Sequence, residues 1–286
     1  MAPATAQAPA KDLAPGLYLV ATPIGNLRDI TLRALDVLAA VDLVLAEDTR
    51  VSGKLLKSHH VSSRLERYDE HGAARIRPRI LEMLARGARV ALISDAGTPL
   101  VSDPGYRLVV ESAAQGSNVV PIPGASALLA AIAAAALPTD RFMFVGFPPS
   151  RRAARRTFFA EIAGVRATLV IFEGGSRLAA SLGDMAEVIG PRPAAVMREL
   201  TKLHETMIRG TLDVLAADSR FAAPRGEIVV VVGPGIQAAA SDVDVDQALV
   251  EALEQSSPAG ASATVARRLG LPRREVYARA LALKDR

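Results

Sequence analysis

The sequence predicts an α/β fold in which two α/β domains are followed by a small C-terminal helical module. Short apolar runs alternate with segments of helical spacing over most of the 286 residues, and such alternation is typical of a mainly parallel sheet covered by helices. Half of the residues are hydrophobic and 22% are charged, so the chain can bury a sizeable core. Pro138-Thr139-Asp140 interrupts the alternation and predicts the boundary between the two α/β domains.

The first α/β domain is predicted over residues 16–138, after a tail. Its strands are short apolar runs that end in turn residues, and its helices place apolar residues three or four apart. The predicted strands are Leu17–Ala21, Leu43–Ala46, Val90–Ser94 and Asn118–Ile122, and the predicted helices are one capped by Asp29 or Thr31, Arg75–Arg86, Gly105–Gln115 and 127–137. Residues 1–15 lack the features of a signal peptide and are expected to form a disordered tail.

The second α/β domain is predicted over residues 139–236, with a spacing closer to that of hairpins. Its predicted strands are Phe142–Phe147, Ala167–Phe172, Ala194–Met197 and Glu227–Val232, and its predicted helices are 151–163, Arg177–Ile189 and Thr211–Ala217. Small and polar residues over 237–245 predict a linker.

The C-terminal module, residues 246–286, is predicted to be helical. Gly270-Leu271-Pro272 separates the helical segments Ala261–Leu269 and Arg273–Lys284, with glycine at one helix end and proline at the next helix start. Two helices joined by a tight turn and carrying five arginines resemble a helix-turn-helix nucleic-acid module. The alternative is a helical hairpin docked on the α/β domains.

The composition excludes several classes of protein. The chain has no cysteine, so it contains neither disulfides nor thiolate metal sites. Its four histidines lack metal-ligand spacing with carboxylates, and no metal site is predicted. The longest apolar run, Ala125–Leu137, is too short to cross a hydrocarbon layer of about 30 Å. We therefore expect a soluble, cytoplasmic protein without a membrane partner.

Arginine dominates the positive charge. The formal net charge is +4, and all but five of the 34 cationic residues are arginines. Guanidinium groups fit phosphate geometry, so clusters of them indicate a polyanionic partner, although a solvated surface is the alternative. Three clusters stand out: Arg75, Arg77 and Arg79; Arg151, Arg152, Arg155 and Arg156; and Arg267, Arg268, Arg273, Arg274 and Arg279.

Three strands of the first domain end in loops rich in glycine, proline and small polar residues. These loops are Thr22–Arg28, Asp95–Pro99 and Pro123–Ser126. Ligands of open α/β sheets bind outside the carboxyl ends of the strands, so the three loops predict an extended ligand cleft. None of them has the glycine pattern of a dinucleotide or nucleoside triphosphate site, which disfavours those cofactors.

A set of motifs extends over residues 16–233. The first is Leu19-Val20-Ala21-Thr22-Pro23-Ile24-Gly25-Asn26-Leu27-Arg28-Asp29-Ile30-Thr31. It is followed in order by Ala46-Glu47-Asp48-Thr49-Arg50, Ser94-Asp95-Ala96-Gly97-Thr98-Pro99-Leu100, Ser102-Asp103-Pro104-Gly105, Pro121-Ile122-Pro123-Gly124-Ala125-Ser126 and Arg198-Glu199-Leu200-Thr201-Lys202. Together these motifs resemble the ribosomal RNA small subunit methyltransferase I family, within the tetrapyrrole methylase superfamily.

This resemblance implies a homodimeric enzyme that binds S-adenosylmethionine (SAM) in a cleft between its two α/β domains. It implies 2′-O-methylation of the ribose of a cytidine in the decoding region of 16S rRNA, within the small ribosomal subunit. Two alternatives remain. One is a SAM-dependent methylase of a tetrapyrrole-like small molecule, which would need neither the basic C-terminal module nor Arg151–Arg156. The other is a non-catalytic RNA-binding assembly factor.

By the same resemblance, residues of both domains are assigned to the SAM site. From the first domain these are Thr22, Pro23, Asp95, Ala96, Gly97, Thr98 and Ser126, and from the second they are Phe172, Met197 and Ile228. For the latter three, ordinary strand core is the alternative. Thr22 and Asn26 also qualify for orienting the ribose or shaping the first loop.

The catalytic candidates are charged residues that follow strands, namely Asp48, Arg50, Glu199 and Lys202. A lysine with a lowered pKa can accept a proton; a phosphate contact or a solvated side chain is the alternative for Lys202. Asp48 can instead cap the next helix and pair with Arg50. Glu47 and His71 are further candidates, and the general base is not identified.

One segment departs from the family pattern. Relatives usually read Glu-Ser-x-His-Arg after the strand that ends in Phe172, whereas this chain has Glu173-Gly174-Gly175-Ser176-Arg177. Any role of that histidine is absent here, and the paired glycines permit a different loop conformation.

Overall fold

The computed structural model describes residues 13–70, 72–222, 224–235, 242–269 and 271–284. Most of the predicted tail, His71 and the first half of the predicted linker lie outside this range. The described chain forms two compact units. The first unit runs up to Ala163 and continues over Ala167–Pro234, and the second combines Gly164–Arg166 with the residues from Gly235 onward.

The first sheet of the larger unit is entirely parallel. Its strands are β1 (Gly16–Val20), β2 (Leu43–Ala46), β3 (Leu65–Arg67), β4 (Arg89–Ile93) and β5 (Val119–Ile122), in the order β3-β2-β4-β1-β5. The helices between them are α1 (Leu32–Ala40), α2 (Thr49–Ser58), α3 (Ala73–Ala85) and α4 (Tyr106–Ala114). Alternate strand residues enter two separate buried clusters, with Val44 in one and Leu45 in the other. Both faces are therefore covered, as near-continuous apolar strands require.

The second sheet is mixed. Its strands are β6 (Phe142–Gly146), β7 (Thr168–Gly174), β8 (Pro193–Arg198), β9 (Thr206–Thr211) and β10 (Glu227–Val232), in the order β6-β7-β10-β8-β9. The strands β6 and β7 are parallel, and every other neighbouring pair is antiparallel. Three helices accompany this sheet: α6 (Arg152–Ile162), α7 (Gly175–Ile189) and α8 (Leu212–Ala216).

The alanine-rich helix α5 (Ala127–Ala134) follows the last strand of the first sheet but packs on the second. Its buried residues Ala131 and Ile132 join a cluster with Val170, Met197 and Val229 of the second sheet. Small side chains let a helix approach a sheet closely, which explains the long alanine run in the sequence. This helix ends at Ala134, three residues before the predicted end.

The eight predicted strands are all present, and the sequence missed three elements. These are α2, β3 and β9. Strand β3 has only three residues and β9 is partly exposed, so neither shows a clear apolar run. Of the two predicted caps of α1, Thr31 is the one observed, since its side chain accepts a hydrogen bond from the Ala34 N–H at 3.1 Å. Asp29 belongs to a preceding 3₁₀ turn.

The smaller unit contains three helices, α9 (Asp242–Leu253), α10 (Pro258–Leu269) and α11 (Arg273–Lys284). They enclose their own core, which includes Leu249, Val265 and Val276. Helix α9 begins inside the predicted linker, while α10 and α11 confirm the two predicted helical segments. Over the described part of the chain, no helix is long and apolar enough to cross a membrane.

Candidate active site

A cleft of about 340 Å³ lies in the larger unit where the loops after β1 and β4 meet the second sheet. Five of the ten residues assigned to the cofactor line it: Asp95, Ala96, Phe172, Met197 and Ile228. Met197 and Ile228 are also almost fully buried strand residues, as the strand-core alternative predicts. The cleft therefore combines a polar strand end from the first sheet with an apolar wall from the second.

The other five assigned residues do not line the cleft but hold its loops together. Thr22 and Gly97 exchange backbone hydrogen bonds of 2.9 and 3.0 Å, and the Thr22 hydroxyl donates to the Ser94 carbonyl at 3.1 Å. Thr98 donates to the Ala125 carbonyl, and Ser126 caps α5. Pro23 is buried beside them. The structure thus gives these residues a shaping role in the loops.

A second loop, after β8, closes one side of the cleft. Leu200 of this loop lines the cleft. Lys202, two residues further along, packs against the loop after β1, because a Cβ on Gly25 would lie 2.4 Å from Lys202 Cγ. Glu199 and Thr201 have φ angles of 53° and 67°. Such left-handed backbone is costly for residues other than glycine and persists only where contacts hold it. Lys202 Nζ supplies those contacts by donating to Glu199 at 2.9 Å and to Glu227 at 3.1 Å.

These contacts contradict the lowered pKa that would let Lys202 accept a proton. Burial disfavours the charged form of Lys202, but its hydrogen bonds with Glu199 and Glu227 outweigh burial and raise the pKa above its ordinary value. The hydrogen bond from Lys202, with that from the Glu227 N–H, lowers the pKa of Glu199. Lys202 therefore stays protonated and Glu199 stays ionised, as one ion pair.

The structure shows Asp48 and Arg50 in a helix cap, which was the alternative to a catalytic role. Asp48 accepts hydrogen bonds from the Arg50 N–H at 2.8 Å and from the Arg50 guanidinium at 2.6 Å. The Arg50 hydrogen bonds hold the pKa of Asp48 far below its usual range. Neither residue lines the cleft. The Asp48 N–H does donate to Asp95 Oδ1 at 3.0 Å, so this cap orients a carboxylate that lines it.

Asp103 is one of three acidic lining residues, with Glu173 and Glu227, that the sequence did not predict as site residues. It lines the cleft in the loop after β4, where Leu100 and Ser102 have φ angles of 75° and 68°. Burial, with the negative charges of Glu47 and Asp95, raises the pKa of Asp103 to about 6, against a hydrogen bond from Ser94 that lowers it. Burial, then the charge of Asp95, likewise raises the pKa of Glu47. The motif Ser102-Asp103-Pro104-Gly105 was the sequence signal that could have identified Asp103 as a site residue.

The chemistry of the lining fits a cationic ligand with an aromatic part. Four acidic residues are among those that line the cleft, namely Asp95, Asp103, Glu173 and Glu227, although the Glu173 side chain is fully buried against Arg177. The described lining residues include no lysine, arginine or histidine. SAM carries a sulfonium, an ammonium and an adenine ring, which match the acidic and apolar halves of this lining. Within the described ranges, no group of three His, Asp or Glu residues is placed to hold a metal ion.

Two of the three arginine clusters are occupied by carboxylates. Arg155 is buried and donates to Asp184 at 2.8 Å, while Arg152 and Arg156 pair with Asp184 and Glu187. Arg77 pairs with Glu111 and Arg79 with Glu66. These five arginines are therefore paired with carboxylates, whereas Arg75 and Arg151 of the same clusters are exposed. The polyanion-binding role of the clusters stays a prediction.

The C-terminal cluster differs in part. Arg279 pairs with Asp246 at 2.5 Å and Arg268 lies 4.0 Å from Glu251. Arg267, Arg273 and Arg274 are exposed and form no ion pair with the residues that the structure describes.

In the Glu173–Arg177 segment the two glycines differ in the space around them, and neither contact explains the departures from the family pattern at Gly174 and Ser176. A Cβ on Gly175 would lie 2.0 Å from the Pro224 carbonyl oxygen, whereas a Cβ on Gly174 would meet open space. Glycine is therefore required at 175 in this structure and not at 174. Glu173 accepts a hydrogen bond from the Gly174 N–H at 2.9 Å and pairs with Arg177 at 2.5 Å.

Comparison with known proteins agrees with this geometry. The family described as Tetrapyrrole (Corrin/Porphyrin) Methylases matches residues 16–216, and the RsmI C-terminal HTH domain matches residues 239–284. A relative from Mesorhizobium japonicum named ribosomal RNA small subunit methyltransferase I is 50% identical over 97% of this chain and 95% of its own. The chain belongs to the ribosomal RNA small subunit methyltransferase I family. Its member from Erythrobacter litoralis is 49% identical over 96% of this chain and 98% of its own.

Solved structures confirm the fold that the family shares. Cobalt precorrin-4 methyltransferase matches with a TM-score of 0.57 at 20% identity, over 76% of this chain and 94% of its own. Diphthine synthase matches with a TM-score of 0.56 at 17% identity, over 76% of this chain and 89% of its own. The predicted fold class, two α/β domains of the tetrapyrrole methylase type and a C-terminal helical module, is confirmed.

Proposed function

We propose that this chain is a SAM-dependent rRNA methyltransferase. It transfers a methyl group to the ribose 2′-hydroxyl of a cytidine in the decoding region of 16S rRNA, within the small ribosomal subunit. The observation that carries this proposal is the similarity, over nearly the whole chain, to relatives named ribosomal RNA small subunit methyltransferase I. The acidic and apolar cleft supports it, because its lining suits the methyl donor of such an enzyme.

Residues of both sheets would hold SAM. Asp95, whose orientation is set by the Asp48 N–H, suits a hydrogen-bond donor of the cofactor, and Phe172, Met197 and Ile228 supply an apolar wall. When bound, SAM supplies an electrophilic methyl group on a sulfonium. Loops of small residues around this wall would hold the two reactants in place, and positioning of this kind contributes up to about 7–11 kcal/mol in favourable cases.

Asp103 is the proton acceptor in this proposal. A ribose hydroxyl attacks poorly unless its proton is removed as the new bond forms, and a positioned base contributes about 10²- to 10⁴-fold. Asp103 lines the cleft, and with a pKa of about 6 it is mostly ionised at neutral pH while remaining more basic than an ordinary carboxylate. Asp48 and Glu199 are less basic, and Lys202 is protonated.

The C-terminal helical module, which begins with α9 at Asp242, is assigned to rRNA binding. Arg267, Arg273 and Arg274 are exposed there, and phosphate contacts by such side chains give affinity that falls with salt. The catalytic part would be formed by the α/β domains 16–138 and 139–236. By resemblance to the family, the enzyme works as a homodimer in the cytoplasm.

The decisive experiment incubates the purified protein with labelled SAM and small ribosomal subunits from a strain that lacks this gene. Mass spectrometry then locates the label. Label on the ribose of one decoding-region cytidine is the expected result. Absence of label on subunits and on naked rRNA, with SAM binding intact, would contradict the proposal and favour a small-molecule methylase or an assembly factor.

A further inference from the structure

A run of basic residues on α2 and just after it lies outside the cleft. Residues 50–64 contain four lysines and arginines and two histidines but no acidic residue. Within this run Lys54, Lys57 and Arg64 are exposed and form no ion pair with the residues that the structure describes. Arg50 differs, because it pairs with the carboxylate of the helix cap. Most of the positive charge of this run is therefore not compensated by the described part of the protein.

The lysines of α2 differ in this respect from the paired arginines of α6. Arg155 and Arg156 are held by carboxylates of α7, so their charge is largely cancelled within the fold. Lys54 and Lys57 are three residues apart on α2 and therefore point to the same side of the helix. Uncompensated cations on one surface raise the local positive potential and attract a polyanion.

An open hollow of about 480 Å³ lies at the end of α2. Its lining includes Lys57, His60 and Ser62, all of which are exposed. Their ammonium, imidazole and hydroxyl groups can each donate a hydrogen bond to a phosphate oxygen. The φ angle of His60 is 56°, and this left-handed turn brings the chain back so that the Val61 N–H donates to the Leu56 carbonyl at 2.9 Å. The hollow is therefore built by an ordered helix end.

Two contacts connect α2 to loops that form the cleft. At its start, the Asp48 N–H donates at 3.0 Å to Asp95, which lines the cleft. At its end, His59 Nε2 donates at 3.1 Å to the Leu27 carbonyl, in the loop after β1. The adjacent Arg28 is exposed and forms no ion pair with the described residues. Because α2 begins beside the cleft and is about 15 Å long, an RNA with one nucleotide in the cleft has further phosphates within the span of this helix.

We infer that a surface formed by Arg28, Lys54, Lys57 and His60, here called the α2 surface, binds phosphate groups of the rRNA substrate beside the target nucleotide. This inference rests on the proposed function and adds a contact on the larger unit to the one assigned to the C-terminal module. Lysine binds phosphate as a point charge, and phosphate contacts carry no base information. The α2 surface therefore contributes affinity and orientation and does not select the nucleotide.

The test measures how tightly the full-length protein binds small ribosomal subunits from a strain that lacks this gene, over a range of salt concentrations. The double variant Lys54→Gln/Lys57→Gln removes two of the proposed phosphate contacts. We expect its dissociation constant to rise about tenfold or more at about 0.1 M salt, and the slope of log affinity against log salt to become shallower by about 2. SAM affinity, measured by calorimetry, should not change, because neither lysine lines the cleft.

Two further variants separate charge from other effects. Lys54→Arg/Lys57→Arg keeps both charges and should retain the wild-type slope. Arg86→Gln/Arg220→Gln is the matched control, because it removes two exposed charges that already pair with carboxylates. This control should leave both the slope and the dissociation constant as in the wild type.

The possible outcomes distinguish the inference from the function on which it rests. An unchanged slope in Lys54→Gln/Lys57→Gln, or an equal change in the control, would overturn the inference. Weaker binding of that variant to subunits with unchanged binding to naked 16S rRNA would also overturn it, because the surface would then contact a protein of the subunit. Wild-type protein that binds neither subunits nor naked rRNA would instead refute the proposed function.

Discussion

The loops after β4 and after β8 have similar backbone conformations, but the pKa values of their carboxylates shift in opposite directions. Each contains two residues other than glycine with left-handed backbone, Leu100 and Ser102 in one and Glu199 and Thr201 in the other. In the first loop, burial and acidic neighbours raise the pKa of Asp103. In the second, Lys202 lowers the pKa of Glu199. Similar backbone strain thus supports opposite electrostatics, and the surroundings of a carboxylate decide whether it can take a proton.

The largest expected effect is the loss of methylation rate in the Asp103→Asn variant. If Asp103 accepts the proton of the ribose hydroxyl, this variant should lower the single-turnover rate by about 10²- to 10⁴-fold and bind SAM with unchanged affinity. The matched change in the other loop, Glu199→Gln, should cost less than about tenfold, since its carboxylate is neutralised by Lys202. Equal losses in the two variants would remove the distinction between the loops.

The pH dependence of the wild-type rate sharpens the same distinction. Asp103 must be ionised to accept a proton, so the rate should fall about tenfold per pH unit below pH 6 and level off above it. Of the groups that shift the pKa of Asp103, Glu47 and Asp95 raise it and Ser94 lowers it. Removing one negative charge with Glu47→Gln should lower that pKa and move the fall in rate to more acidic pH. A profile that does not move would exclude Asp103 as the titrating group.

A smaller effect is expected on the stability of the loop after β8. A Cβ on Gly226 would lie 2.4 Å from Glu199 Oε1, which Lys202 and the Glu227 N–H hold in place. Gly226→Ala should therefore lower the free energy of unfolding by about 1–3 kcal/mol more than Gly116→Ala. Gly116 also has positive φ but faces open space, so it reports backbone strain alone. Urea denaturation of both variants measures the difference, and equal losses would show that Glu199 is not held.

The smallest effect concerns the strain that both loops share. Glycine at Ser102 or Thr201 relieves left-handed backbone but adds freedom to the unfolded chain, and these contributions oppose each other. Ser102→Gly and Thr201→Gly should each change the free energy of unfolding by less than about 1 kcal/mol, and by similar amounts. A difference well above that in thermal denaturation would mean that the two loops are not equally strained.

Much of the fold was predictable because it depends on local pattern. The apolar runs of β1 and β4 and the turn residues after them located the strands and the ligand loops. The motif residues Asp95, Phe172 and Met197 do line the cleft. Edge elements such as β3 were not predicted, because a strand of three partly exposed residues has too few positions to show a periodic pattern.

The electrostatics of the site could not be predicted in the same way, because they depend on partners distant in the sequence. Asp103 owes part of its raised pKa to Glu47, which arrives from another strand end. Arg155 has the sequence signature of an exposed basic cluster, yet it is buried against Asp184 of the next helix. Likewise, the sequence around Lys202 does not show that Glu227, from another strand, accepts its hydrogen bond and so keeps it protonated.

The packing of α5 has a consequence for how the two α/β domains fold. This helix is the last element of the first domain, yet Ala131, Ile132 and Ala135 complete the apolar core of the second. A chain cut at the boundary near Pro138 would leave that core open on one fragment and an apolar helix exposed on the other. The second domain should therefore unfold together with α5 and should not persist when it is synthesised without that helix, whereas the core clusters of the first sheet include no residue of α5.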